Sequence, residues 1–279
     1  MREYKAKLAP VEAPLVEEPI PLPILFFKSL LSHRRGVSLA AAVQLGVCTF
    51  FPGRYAVVPV ATLLLGFVVA EVIDFCLPSP AGPPASLGTV VPGRATSLLP
   101  GPDGTFASSQ QLVVFNLGVQ FNHPRGRLCP YGRDIGDKFT EMNNRLLERR
   151  EELGLISVSE WAGFKPSTAD TIMMSYYFKD VESIHKFAHE EMHRRAWDWY
   201  NSLRPGHIGI FHETFVVPAQ SYETIYANCR PLMLGAGLVK CDEMEGPRNW
   251  RNTLVSADSV GLKSQWQRLN RDGNGMPRK

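Results

Sequence analysis

The strongest constraint on the fold of this chain is the order of its apolar patterns between residues 111 and 217. LVVFNLGVQF, at 112–121, alternates apolar and polar residues as a half-buried strand does. DIGDKFTEMNNRLLERREELG spaces its apolar residues as a helix, with Asp134 as the predicted N-cap and Gly154 as the stop. The predicted elements, in order, are a strand at 112–121, a helix at 134–153, strands at 156–162 and 171–180, a helix at 181–203 and a strand at 207–217.

This order predicts an α+β fold. Strand, helix, strand, strand, helix, strand is the ferredoxin-like βαββαβ arrangement, in which two helices cover one face of an antiparallel four-stranded sheet. The other face is left bare, and TIMMSYYF, at 171–178, makes it partly apolar. Because an exposed apolar patch is usually covered by another surface, we expect a homodimer.

Two uncharged apolar runs precede this domain, at 36–51 and 55–70, with only Pro52, Gly53 and Arg54 between them. A helix of that length spans about 24 Å, somewhat less than the hydrocarbon core of about 30 Å. We therefore predict two tilted or shallow membrane helices, the transmembrane segments of an endoplasmic reticulum protein whose catalytic domain faces the cytosol. The alternative is a pair of buried core helices.

Composition divides the chain into four predicted segments. They are an N-terminal segment with the two apolar runs (1–77), a linker rich in Pro, Gly and Ser (78–110), the α+β domain (111–245) and a polar tail ending in a disordered RDGNGMPRK (246–279). A net charge of +3 without a basic stripe argues against nucleic acid as a partner. Five dispersed cysteines without CxxC indicate neither a disulfide framework nor a thiolate zinc site.

The most unusual local feature is HKFAHEEMHRRAWDWY, which spaces His185, His189 and His193 four residues apart. On one continuous helix, His185 would lie on the apolar face and the other two on its flank. Alternation along the last strand places His212 toward the helices and Glu213 away from them. The histidines could hold a metal, move a proton or fill the core.

Two further patterns leave alternatives open. HEEMH satisfies H-E-x-x-H, but Glu190 would project to the polar side of the helix, which makes a zinc protease a weak match. Tyr226 and Asn228 could orient a ligand or close a turn.

Three segments, VQFNHPRGRLCPYGRDIGDKFTEMN, SYYFKDVESIHKFAHEEMHRRAWDWY and GHIGIFHETFVVPAQSYETIYANC, carry a resemblance over about residues 110 to 240. They resemble the fungal monooxygenase-like family typified by the polyene-cleaving oxygenase of the fumagillin pathway. The resemblance implies a dimeric α+β barrel of the antibiotic-biosynthesis monooxygenase type. The motifs FAH…H, HIGIxHE and IYxN are its most specific part.

A more distant resemblance to the haem-containing aldoxime dehydratases implies roles for individual residues. His193, or else His189, would be the axial ligand of haem iron, and His212 with Glu213 would form the distal acid-base pair. HEEMH departs from the tighter HxxH of those enzymes, which leaves the axial residue open. Many oxygenases of this barrel fold use no cofactor, and a histidine would then be the general base.

These observations predict a membrane-anchored monooxygenase of secondary metabolism that acts on a hydrophobic polyketide or terpenoid. Its candidate catalytic residues are His189, His212, Glu213, Tyr226 and Asn228, with His193 as the candidate ligand of haem. Two alternatives use the same sequence features. One is a redox-neutral lyase, dehydratase or isomerase acting through the same histidines, and the other is a membrane-anchored binding protein without activity.

Overall fold

The computed structural model of the chain describes residues 4–14, 34–76, 90–106, 110–163, 165, 167–272, 274 and 276. They belong to two compact units. One unit comprises Met1–Pro14 with Ala85–Lys279, and the other comprises Leu15–Pro84. The α+β unit is therefore discontinuous in sequence, with the apolar helical segment inserted into it.

The described helices and strands follow the chain in this order: α1 (Arg34–Phe50), α2 (Val58–Cys76), β1 (Val91–Ser97), β2 (Leu112–Phe121), α3 (Gly132–Glu148), β3 (Leu155–Ala162), β4 (Thr171–Phe178), α4 (Val181–Ala188), α5 (Glu191–Leu203), β5 (Ile208–Val217), β6 (Tyr226–Cys229), β7 (Leu238–Lys240), β8 (Trp250–Asn252), β9 (Leu254–Ser256) and α6 (Gln265–Arg268).

The main sheet has four antiparallel strands in the order β3-β4-β2-β5. This is the strand order of a ferredoxin-like βαββαβ unit, so the mixed α+β fold with an antiparallel sheet is confirmed. The predicted strand at 112–121 coincides with β2 because apolar residues alternate along its whole length. The predicted cap of the following helix was wrong: α3 begins after Tyr131, and Asp134 lies in its first turn.

One face of this sheet packs against α3, α4 and α5. Its buried centre, here named the central apolar cluster, consists of Val113, Met142, Leu146, Leu153, Leu155, Met174, Tyr176, Phe178 and Phe187. Phe115 and Leu117 of β2 and Met192 and Ala196 of α5 pack around it. Burial of these side chains is the main force that holds the helices to the sheet.

The opposite face of the sheet is covered in part by the C-terminal segment of the same unit. Ile156 and Tyr177 from the sheet contact Leu234 and Val239 in a second buried cluster. Farther along β5, Phe211 and Phe215 remain exposed. The face is thus not bare as predicted, although Phe211 and Phe215 on β5 and Trp161 on β3 leave apolar surface exposed on it.

A second layer is formed in part by segments that were predicted to be a linker and a polar tail. Strand β1, inside the predicted linker, pairs with β6 and β9 in a three-stranded sheet, and β7 pairs with β8. The N-terminal segment joins them through bridges from Ala6 to Val255 and from Val11 to Trp250. The predicted linker and the predicted polar tail are therefore corrected, since Leu254, Val255 and Ala257 are buried.

The other unit contains α1 and α2, separated by a short 3-10 turn at Gly53–Tyr55. The prediction of two helices joined by a tight turn is confirmed, and Gln44 donates a hydrogen bond to the carbonyl of Ala56 at 2.6 Å. Within the described ranges, however, no helix has both the length and the apolar character needed to cross a bilayer. The prediction of transmembrane helices is therefore not supported.

Candidate active site

The segment HEEMH lies across a break between two helices. Helix α4 starts at an N-cap, where the Asp180 side chain accepts a hydrogen bond from the amide of Ser183 at 2.8 Å. It ends at Ala188, and α5 begins at Glu191. Glu190 has φ −59° and ψ 139°, which is not helical. The prediction of one continuous helix over 181–203 is therefore wrong.

The three histidines of this segment have different surroundings. His185 is exposed, which corrects the prediction that it lies in the core. His189 is also exposed, and its Nδ1 lies 2.6 Å from the carbonyl oxygen of His185 at the end of α4. That contact caps a helix terminus. The imidazole of His189 is therefore already engaged in local structure.

His193 is half-buried, and its ring lies 5.6 Å from the ring of Phe187, measured between centroids. Burial lowers the pKa of His193 below its usual value of 6.5, and a hydrogen bond to the backbone of Ala188 offsets part of the shift. The imidazole is therefore neutral near pH 7. It lies against Phe187, a member of the central apolar cluster.

His212 approaches the same cluster from the sheet. It pairs with Leu117 in the register of β5 and β2, and so it shares the helix-facing side of the sheet as predicted. Its ring lies 5.6 Å from that of Phe115, which in turn lies 6.1 Å from the ring of Tyr176. Unlike the predicted interior residue, His212 is exposed. Helix α5 covers the start of β5 and leaves this part of the strand open.

Glu213 lies on the other side of the sheet, opposite Asn116. Adjacent strand residues point to opposite faces, so the carboxylate of Glu213 and the imidazole of His212 are separated by the sheet. The structure thus brings His193 and His212 to one apolar cluster and leaves Glu213 outside it.

Tyr226 and Asn228 belong to the second layer. The hydroxyl of Tyr226 accepts a hydrogen bond from the amide of Gly235 at 3.0 Å, and the Asn228 side chain accepts one from the amide of Gly93 at 2.8 Å. Burial raises the pKa of Tyr226. These contacts join β6 to its neighbours, and they do not place either residue with the histidines.

One interaction at the helix break could not be predicted from the sequence. Glu190 accepts a hydrogen bond from Arg149, at the end of α3, at 2.5 Å. In the sequence, Glu190 stands out only as part of HEEMH, and the H-E-x-x-H motif would assign it to a zinc site. In the described part of the chain, no group of three or more His, Cys, Asp or Glu side chains could hold a metal ion. The helix break and this ion pair remove the geometry of the zinc protease motif.

The four cysteines whose side chains the structure describes do not add to the site. Cys48, Cys129, Cys229 and Cys241 are free thiols. Burial raises the pKa of Cys129 and of Cys241, which keeps both thiols protonated.

Comparison with known proteins assigns the chain to a family. The model of the family described as monooxygenase af470-like matches residues 112–234, which run from the first residue of β2 through β6. Monooxygenase af470 of Aspergillus fumigatus is 40% identical over 275 residues, covering 97% of this chain and 99% of that protein. The chain belongs to the monooxygenase af470-like family.

Membership in the monooxygenase af470-like family identifies the chain as a monooxygenase-type enzyme, an oxidoreductase. The family match includes His193 and His212, the two histidines that lie beside the central apolar cluster. It also includes Tyr226 and Asn228 of the second layer.

Solved structures give remote similarities. An aldoxime dehydratase in complex with butyraldoxime matches 66% of this chain and 46% of its own, with 18% identity and a TM-score of 0.40. A putative antibiotic biosynthesis monooxygenase from Deinococcus radiodurans matches 37% of this chain and 89% of its own, with 10% identity and a TM-score of 0.25. A dimeric ferredoxin-like protein from an uncultured marine organism matches 39% and 96%, with 11% identity and a TM-score of 0.29.

Proposed function

We propose that this family member oxidises a hydrophobic small molecule, a polyketide or terpenoid, at the helix-facing side of the main sheet. The observation that carries the proposal is that two histidines flank one apolar cluster, His193 from a helix and His212 from a strand. An apolar surface with few polar groups is what a lipophilic ligand requires. Imidazoles are the side chains best suited to proton transfer near neutral pH.

His212 is the acid-base residue in this proposal. Its imidazole lies over Phe115 and is exposed, so a substrate that rests on the aromatic ring can reach it. His193 has the opposite character, because it is half-buried and neutral. A neutral imidazole on an apolar surface can accept a proton or donate its lone pair to a ligand.

The residues fit a haem in their donor chemistry. A ligating histidine needs one ring nitrogen free and the other held by a hydrogen bond, commonly to a backbone carbonyl. The backbone of Ala188, which raises the pKa of His193 as a hydrogen-bond partner does, would be the group that holds its ring in this way. His189 fits less well, because its ring already contacts the carbonyl of His185. Haem would supply activation of dioxygen when bound, and without it His212 would act as general base in a cofactor-free oxygenase.

The test is the optical spectrum of the detergent-purified full-length chain, before and after addition of hemin, followed by dioxygen uptake with polyene and polyketide substrates. A Soret band that is lost in His193→Ala and kept in His185→Ala is expected. His185 is a matched control because it is an exposed histidine four residues from His189. Turnover without dioxygen uptake would instead identify a lyase or isomerase, and turnover that survives loss of both histidines would reject this site.

We also infer that α1 and α2 attach the enzyme to a membrane, in our proposal that of the endoplasmic reticulum with the α+β unit on the cytosolic side. Both helices expose apolar side chains, and exposed aromatic residues follow one another from the end of α1 into the turn: Phe50, Phe51 and Tyr55. Aromatic side chains favour the interface of a bilayer. Flotation of the full chain with phosphatidylcholine vesicles is expected, and Phe50→Glu with Phe51→Glu should abolish it.

A homodimer is the remaining part of the proposal. Phe211 and Phe215 are exposed on the face of the main sheet that lies opposite the helices. A second copy is the occupant that would cover them. Light scattering should give twice the mass of the chain in wild type and a monomer for Phe215→Glu, whereas a monomeric wild type would reject this assembly.

A further inference from the structure

Glu190 is the residue of HEEMH that the proposed chemistry leaves without a role. It lies in the non-helical link between α4 and α5, and its carboxylate lies 2.5 Å from a guanidinium nitrogen of Arg149. The two side chains are only 27% and 23% exposed. An ion pair that is partly shielded from water is screened less than a surface pair, so it can fix the geometry of the groups that it joins.

The guanidinium of Arg149 is itself held at the end of α3. It is the C-cap residue of α3, and its guanidinium also donates to Glu152 at 2.7 Å from Nε. The positive charge lies at the carboxyl end of α3, and the negative charge of Glu190 lies at the amino end of α5. Each charge complements the dipole of its own helix. The pair therefore ties the end of one helix to the start of the other.

His193 lies directly after the break. His193 is in the first turn of α5, yet its ring contacts Phe187 and the backbone of Ala188, which belong to α4. These contacts cross the break. They depend on the orientation of α5 relative to α4, and Glu190 is the link residue whose side chain is anchored outside both helices.

We propose that Glu190 is a positioning residue, which through its ion pair with Arg149 holds the α4–α5 break so that His193 faces the central apolar cluster. This inference rests on the proposed function for the importance of His193. It differs from the zinc protease pattern, because Glu190 acts on the backbone geometry and touches no substrate.

The chain offers a matched control one residue away. Glu191 also lies at the start of α5 and pairs with Arg195 at 3.8 Å, but these side chains are 77% and 66% exposed. A surface pair of this kind contributes little to structure. Glu191→Gln removes the same charge from the same helix end as Glu190→Gln, without touching the link to α3.

The primary test is the nuclear Overhauser effect between the rings of Phe187 and His193 in the full-length chain with labelled aromatic residues. We expect it to be at least halved in Glu190→Gln and in Arg149→Gln, and kept in Glu191→Gln and Arg149→Lys. An unchanged effect in Glu190→Gln, or an equal loss in Glu191→Gln, would overturn the proposal. Loss of the whole fold in both Glu190→Gln and Arg149→Gln would also overturn it, because the role would then not be confined to the break.

A second measurement separates this inference from the proposed function. Hemin titration should give binding that is roughly 10-fold weaker in Glu190→Gln, the range typical for loss of a group that orients a metal ligand. If wild type does not bind hemin, the haem proposal fails while the contact between the rings still tests Glu190. If hemin binds equally to wild type and Glu190→Gln, the positioning role fails and the haem proposal survives.

Discussion

The two faces of the main sheet are built from alternate residues of the same four strands, yet the histidines of the candidate site lie beside only one of them. The helix-facing side carries His193 and His212 beside the central apolar cluster. The other side carries tyrosines under the second layer, where burial raises the pKa of Tyr177 and of Tyr222 to about 12. Phenols with such pKa values stay protonated at neutral pH. The buried phenol of Tyr176 on the first face also has a raised pKa, so under the proposed function the imidazoles are what equips the first face for proton transfer.

The sharpest test of this difference uses two adjacent residues. His212→Ala should lower turnover by about 10²- to 10⁴-fold, the usual contribution of an acid-base group. Glu213→Ala, on the opposite face, should leave turnover close to wild type, because its carboxylate is separated from the cluster by the sheet. Dioxygen uptake at saturating substrate measures both. Equal losses in the two variants would mean that the faces do not divide the chemistry in this way.

A buried ion pair in the second layer provides a test of stability. Arg268 contacts Glu223 at 2.5 Å, and the side chains are 7% and 18% exposed. Glu223→Ala would leave the buried guanidinium without its counter-charge, with only the carbonyls of Leu262 and Lys263 as acceptors, and should lower the free energy of unfolding by about 3 kcal/mol. Urea denaturation measures this loss.

The control for that variant is Asp258→Ala, which breaks the exposed pair with Arg94 at 3.3 Å. Its cost should be under about 1 kcal/mol. Similar costs for the two variants would show that burial does not set the strength of these pairs.

The strands of the main sheet could be predicted from the sequence, because a buried face forces alternation. The predicted strand at 207–217 differs from β5 by one residue at its start. Strand β1 was missed since Pro92 and Gly93 give it the composition of a linker. Likewise, β8 and β9 are three residues each, too short for a period to appear.

Alternation along the strands also predicted part of the candidate site. Alternation placed His212 on the correct side of the sheet, since it is a local pattern. The four-residue spacing of the histidines continued through the link at Glu190, so the sequence predicted one helix where there are two. Glu190 lies in the link that interrupts the helix, and its side chain is anchored by Arg149, 41 residues away in sequence. Such a contact leaves no periodic signal in the chain.

Tyr226 provides a smaller test of the second face. Its hydroxyl is the acceptor for the buried amide of Gly235. Tyr226→Phe leaves that amide without a partner and should lower the free energy of unfolding by about 1 to 3 kcal/mol. Turnover should be unchanged if the role of Tyr226 is structural. A stable Tyr226→Phe protein with lost turnover would instead move part of the chemistry to this face.

The smallest expected effect concerns the pH dependence of stability on the first face. Burial lowers the pKa of His193 in the folded protein below 6.5, so the unfolded chain binds a proton at a higher pH than the folded chain does. The contribution of His193 to stability is therefore complete above pH 6.5, and it is lost as the pH falls from 6.5 to the folded pKa. His193→Gln should lack this loss. The difference in free energy of unfolding between wild type and His193→Gln, followed by urea denaturation, should shrink across that interval, with His185→Gln as the exposed control. Profiles that run parallel below pH 6.5 would mean that His193 is not the neutral imidazole that the first face requires.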